Sequence, residues 1–93
     1  MSKKEKIQDR PVIEEITSRT GNNFLILFND EVNTFDFVIE SLVDVCFMDN
    51  VQAEQCALIA HFKGKCDIKK GSVTSLEPMK EELNNRGLNV VIS

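Results

Sequence analysis

The sequence predicts an α+β fold in the order β-α-α-β-α-β, a three-stranded antiparallel sheet packed on three helices. Three observations predict it. Two short apolar runs, Phe24 to Phe28 and Leu88 to Ile92, lie far apart in the chain and are bounded by polar or turn residues. Between them, stretches of helical character carry cap and stop residues. One stretch, Lys65 to Lys70, alternates apolar and polar residues as a half-exposed strand does. Ninety-three residues make one domain, and six Phe with the aliphatics suffice for a core.

Residues 1–22 differ from the rest. They hold five Lys/Arg, four Asp/Glu, Pro11 and little sustained apolar pattern. The expectation is a flexible N-terminal tail with a short extended piece at Val12 to Ile16, followed by a core domain over 23–93. Phe24 to Phe28 reads as the first strand, because the polar cluster Asn29-Asp30-Glu31 ends it as a loop would. Asn33 or Thr34 can cap the first helix, with Asp36 in its first turn, where the helix dipole favours an anion. Phe35, Val38, Ile39, Leu42 and Cys46 recur there as a buried stripe. Asp49 or Asn50 starts the second helix. Ala53, Cys56, Ala57 and Ala60 share its inner face, with Leu58, Ile59 and Phe62 near it, and Gly64 ends it. The Lys65 to Lys70 strand turns at Gly71-Ser72. Pro78 fits the first turn of a third helix that ends near Arg86-Gly87. Leu88 to Ile92 is the last strand.

Composition excludes several functions. The net charge is −4, and the chain after residue 22 holds six basic and eleven acidic residues, a body of net −5. That balance argues against a general nucleic-acid partner. No apolar stretch approaches the ~20 residues of a membrane span, and MSKKEKIQDRP has no apolar core of a signal peptide. A soluble cytoplasmic protein with no membrane partner is the expectation. Cys46, Cys56 and Cys66 are an odd number without a CxxC pair, so they read as reduced and partly buried.

The polar junction after the first strand raises the functional question. If the first two helices pack as a hairpin, His61, the only His, meets Asn29, Asp30 and Glu31 at one rim. Ala57 and Ala60 would leave space beneath. An apolar hollow with a carboxylate, an amide and an imidazole at its mouth suits a charged amine attached to an apolar side chain. A free protein N-terminus beginning with Phe, Leu, Tyr or Trp is such a ligand. On pattern alone the plainer account leads: Asn and Asp after a strand make turns, and a helix-end His is a surface residue.

Three segments then carry a resemblance. Phe24-Leu-Ile-Leu-Phe-Asn-Asp-Glu, Phe37-Val-Ile-Glu-Ser-Leu and Ala60-His-Phe-Lys-Gly-Lys65 resemble the ClpS adaptors of the Clp protease. The resemblance is good from Phe24 to Lys65 and weak beyond. It implies a non-catalytic adaptor, without cofactor or metal, that binds N-degron substrates and delivers them to the Clp AAA+ ATPase, docking on that enzyme's N-terminal domain. By position, Asn29, Asp30 and His61 would hold the α-amino group, with Glu31, where the family usually has Asp, assisting. Asn33, where the family usually has Thr, would face the peptide backbone. Phe35, Val38, Ala57, Ala60 and Leu88 would shape the side-chain pocket. Phe35 and Ala57 replace common Met residues and Ala60 a usual Val, so the pocket shape differs. Glu77 and Lys80 are loose candidates for ATPase docking on a third helix that reads several residues shorter than the family's. The expectation for Asp30→Ala is weaker ligand binding with little change in stability, a loop carboxylate doing little for folding.

The same residues admit rival readings. A Cys-His enzyme is disfavoured, since Cys56 lies five residues from His61 and points to another helix face, and no nucleophile motif surrounds any Cys. Zinc on Cys56, His61 and Cys66 lacks a fourth ligand and the close pair spacing. Asp30, Glu31 and Asp36 lack the spacing and Gly of a calcium loop. The serious alternative is a divergent ClpS-like interaction domain with an altered or lost pocket. The fold of this family resembles a ribosomal stalk protein's C-terminal domain, so fold alone does not decide.

Overall fold

The computed structural model describes residues 21–93. The expected tail, with its extended piece at Val12 to Ile16, lies outside them up to residue 20. The elements are β1 (Asn23–Phe28), α1 (Phe35–Cys46), α2 (Asn50–Lys63), β2 (Lys65–Gly71), α3 (Val73–Asn85) and β3 (Asn89–Ile92). The sheet order is β2-β1-β3, with both pairs antiparallel. The chain thus has the predicted β-α-α-β-α-β order.

Alternation along the strands decides which sheet face meets the helices. Leu25 and Leu27 of β1, Cys66 and Ile68 of β2 and Val90 of β3 are buried. In β2 the pairing jumps from Asp67, opposite Ile26, to Lys69, opposite Leu25. Ile68 is the extra residue of that bulge, and it keeps an apolar side chain on the core face. From the helices, Leu42, Cys46, Ala53, Cys56, Ala60, Leu76 and Leu83 complete one continuous core.

Each helix begins on a side-chain cap. Thr34 accepts from Phe37 N (3.1 Å), Asp49 from Gln52 N (2.7 Å) and Ser72 from Ser75 N (3.2 Å). Of the two residues considered for each of the first two caps, Thr34 and Asp49 act. Gly64 ends α2 in the left-handed conformation (φ 94°), with its N–H on Ala60 O at 2.9 Å. α3 closes with a Schellman motif: Gly87 N donates to Asn84 O (2.9 Å) and Leu88 N to Leu83 O (3.0 Å). Gly87 has φ 94°, and the buried pair Leu83 and Leu88 supplies the apolar contact typical of that motif.

Three expectations are corrected. Pro78 does not open the third helix. Ser72 caps the chain directly after β2, so α3 starts at Val73 and Pro78 is its sixth residue. Pro78 and Thr74 are both exposed, and the Thr74 carbonyl that loses its helical partner can bond water. Phe62 lies on the outer face of α2, 77% exposed, rather than beside the buried face. The last strand starts at Asn89, because Leu88 belongs to the helix-closing turn.

Pro78→Ala restores the missing N–H without disturbing a buried contact. We expect it to raise the unfolding free energy by about 1–2 kcal/mol, the helix-interior gain less the entropy Pro removes from the unfolded chain. Urea melts of the two proteins check this, and a less stable variant would contradict it.

Candidate functional site

β1 ends at Phe28 and α1 begins at Phe35, so residues 29–34 form the connecting loop. Two anchors fix it. Asn29 N donates to Gly64 O at 3.0 Å, tying the loop's first residue to the chain turn after α2. His61 lies one helical turn before that Gly, so the anchor brings the imidazole beside the loop. The second anchor is Asp30. Its Oδ1 accepts from Val32 N and Asn33 N, both at 2.8 Å, and its Oδ2 accepts from Asn33 Nδ2 at 3.2 Å. The carboxylate closes the loop on itself as an Asx turn does. Asn33 Nδ2 also donates to Gly87 O at 2.9 Å, which joins the loop to the end of α3.

Partial burial pushes the Asp30 carboxyl up, but the hydrogen bonds from Asn33 and Val32 outweigh it and hold its pKa below the ordinary value of 3.8. Asp30 is therefore an anion at neutral pH.

Beneath this loop lies a cleft of about 450 Å³ between β1, α1 and α2. Its size falls within the range of small-ligand sites. The predicted rim residues Asn29, Asp30, Glu31 and His61 all line it, as do Asn33, Phe35, Val38, Ala57 and Ala60. Ala57 and Ala60 are almost fully buried, and their short side chains leave room for the cleft beside α2. Phe35, the first residue of α1, is 38% exposed although it lines an apolar wall. None of the lining residues is Lys or Arg.

Leu88 is not a lining residue. The Schellman turn directs it into the core, where it is 3% exposed. Leu27, Phe28 and Leu58 line the cleft without having been singled out. Phe28 ends the strand just before the polar junction, a position that signals proximity. Leu58 follows Ala57 on α2, but nothing in the sequence places it nearer the cleft than Ile59. Glu77 and Lys80 lie on α3, away from the cleft, and pair with each other at 3.9 Å.

Cys46 and Cys66 do not supply a nucleophile. Burial pushes the Cys66 thiol up to about 12, with Cys56 adding to the effect, and the Cys46 thiol up to about 11. Both stay protonated at neutral pH, and a thiol is a poor nucleophile. Among the described residues, no group of three or more His, Cys, Asp or Glu could hold a metal ion. No helix among them is long and apolar enough to cross a membrane.

Residues 19–91 match the family described as ATP-dependent Clp protease adaptor protein ClpS. The chain belongs to the ClpS family. Its fold is similar to the solved structure of Agrobacterium tumefaciens ClpS2 bound to L-phenylalaninamide, with a TM-score of 0.67 and 18% identity over 81% of this chain and 98% of that one. No curated protein matches it by sequence. Proteins of the ClpS family are adaptors of the Clp protease, and this chain is a member with a site of its own composition.

The three hydrogen bonds on Asp30 correct one expectation. This carboxylate does contribute to folding. A folded-state pKa below 3.8 means a contribution fully present above that value and lost as pH falls through the lower, folded-state pKa. Asp30→Ala should cost about 1–2 kcal/mol at neutral pH, through donors left unpaired in the loop. The gap to the native protein should close as pH falls below 3.8. Denaturant melts across pH check both, and a gap that is independent of pH would exclude the Asp30 carboxylate as its source.

Proposed function

We propose that the cleft binds a free protein N-terminus whose first residue is bulky and apolar, and that the chain presents such N-degron substrates to a Clp ATPase. The observation that carries this reading is the joint placement of Asn29, Asp30 and His61 at the mouth of an apolar cleft that no Lys or Arg lines. An ammonium needs acceptors and a counter-charge. Asp30 supplies the charge, while the Asn29 amide oxygen and a neutral imidazole nitrogen accept further N–H groups. Glu31 adds a second, more exposed carboxylate on the same rim. The cleft takes the side chain. A Phe side chain burying about 150–200 Å² there would contribute on the order of 4–5 kcal/mol. L-phenylalaninamide, the molecule bound to the Agrobacterium protein, combines the same two features, a free α-amine and an apolar side chain.

Rim and wall divide the work. The rim sets the class of ligand, since an acetylated terminus loses the charge and two donors. The wall sets the preferred side chain. Phe35 supplies an aromatic ring to the wall, while Ala57 and Ala60 provide a short, buried floor. Delivery would use the acidic and basic pair Glu77 and Lys80 on α3, neither of which lines the cleft, as a docking surface for the N-terminal domain of the ATPase.

Fluorescence anisotropy with labelled peptides starting in Phe, Leu, Trp or Ser, and with acetylated Phe, tests the reading. The apolar starters should bind at least about tenfold more tightly than Ser, consistent with the burial expected above. Acetylation should abolish the difference. Equal binding of free and acetylated Phe would remove the amine site. Ala57→Met narrows the floor, and it should shift the ranking from Phe and Trp toward Leu by about 1–3 kcal/mol. An unchanged ranking would show that the ligand side chain does not reach Ala57.

A further inference from the structure

We propose that Asn33 is a positioning residue of the amine site: pinned on the Gly87 carbonyl, its side-chain amide aims the Asp30 carboxylate at the ligand, and its N–H groups are not free to hold the substrate backbone. The proposal rests on the amine reading of the cleft and specifies how that site is kept in register.

Asn33 Nδ2 lies 3.2 Å from Asp30 Oδ2 and 2.9 Å from Gly87 O. Both partners can only accept, since one is an ionised carboxylate and the other a backbone carbonyl. The orientation of the amide is therefore dictated by chemistry: only the NH₂ end can face this pair. A primary amide has two N–H donors, and both are used. Only Oδ1 remains for any other contact, and it can only accept.

The same count applies to Asp30. A carboxylate offers about four lone-pair positions. Val32 N and Asn33 N occupy both on Oδ1, and Asn33 Nδ2 occupies one on Oδ2. One position on Oδ2 stays open for a ligand N–H. Its direction depends on where Asn33 Nδ2 sits, and Gly87 fixes that. Gly87 is held by the Schellman closure of α3, with its own N–H on Asn84 O at 2.9 Å. The aim of the Asp30 carboxylate is thus referred to a helix end on another element as well as to its own loop. A Thr at position 33 would have a single hydroxyl hydrogen and could donate to Asp30 or to Gly87 but not to both.

Other charged groups near Asp30 are few. Its own loop brings Glu31 and α2 brings His61, while α1 contributes Phe35 and Val38, and the turn at Gly87 contributes a carbonyl. Loss of the Asn33 amide would therefore register on Asp30 without a compensating cation in the cleft.

The test uses the full chain with native Asn33, Asn33→Leu and Asn33→Thr. Carboxyl carbon NMR follows the titration of Asp30 in each free protein. Anisotropy with a Phe-starting peptide, free and acetylated, follows binding across pH, and melts confirm folding. In Asn33→Leu the Asp30 midpoint should rise by about one pH unit, the scale of a lost hydrogen bond to the charged form. Affinity at neutral pH should fall about tenfold, since a charge-assisted contact is misdirected. The acid edge of binding should move up with the midpoint. Asn33→Thr should lie between, and it carries the comparison if the Leu variant does not fold. An unmoved Asp30 midpoint would overturn the positioning role. A moved midpoint with unchanged affinity would show that the ligand does not feel it and would overturn the proposal as well. If the native protein binds free and acetylated Phe alike while the midpoint still moves, the amine reading fails and the proposal falls with it, although Asn33 does orient Asp30.

Discussion

The Asp30 carboxylate is the point on which the cleft mouth depends. Three hydrogen bonds converge on it from the residues two and three positions on in the loop, Val32 and Asn33. Without them the segment between β1 and α1 would have no internal fastening beyond the Thr34 cap. With them, the rim is a closed turn of fixed shape, and the group that gives it that shape is also one of its two carboxylates. On the proposed reading the same atoms serve folding and recognition. That is economical only because a carboxylate has more acceptor positions than the loop uses.

The rest of the fold locates this turn. Asn29 is fixed to Gly64 and Asn33 to Gly87, so the loop hangs between the ends of α2 and α3. Both attachment points follow helix ends where Gly takes a left-handed conformation. Such turns satisfy terminal carbonyls locally and hold their geometry well. α2 carries His61 one turn before its end and Ala57 and Ala60 below, so a single helix supplies part of the rim and part of the floor. The small side chains of α2 that would weaken a larger core are here the reason that a cleft exists beside β1.

Much of this was legible in the sequence. Strand and helix order followed from apolar period, from the cap candidates Asn33 or Thr34 and Asp49 or Asn50, and from the turn or stop residues Gly64, Gly71-Ser72 and Gly87, whose roles are local and chemical. Nine of the ten residues assigned to the amine and pocket site line the cleft. A strand end followed by a helix hairpin places Asn29, Asp30, Glu31, His61, Ala57 and Ala60, whereas Asn33, Phe35 and Val38 came from the family resemblance. What escaped was tertiary. Pro78 carries a local signal for a helix start, but the cap at Ser72 overrides it, and a Pro on an exposed face is tolerated inside the helix. Leu88 was placed by resemblance, yet the 6→1 bond of the Schellman turn sends it to the core. The contact of Asn33 with Gly87 spans 54 positions and has no sequence signature at all. A single residue read one by one as a backbone contact proves to be bonded to two other parts of the molecule.

Family membership and site chemistry should be kept apart for this chain. Membership rests on a match over most of its length, and the fold similarity at 18% identity carries no information on individual contacts. The site must be argued from its own atoms. Those atoms separate into a rim held by hydrogen bonds of 2.8 to 3.2 Å and a wall held only by packing. Directional bonds tolerate little change, whereas an apolar wall can trade Met for Phe or Ala and remain an apolar wall. Phe35, partly exposed at the first turn of α1, and the two Ala of α2 lie on the tolerant side of that division. On the proposed reading, substitutions in the wall would therefore redraw the preference for the ligand side chain while leaving the demand for an amine, which the rim sets, in place.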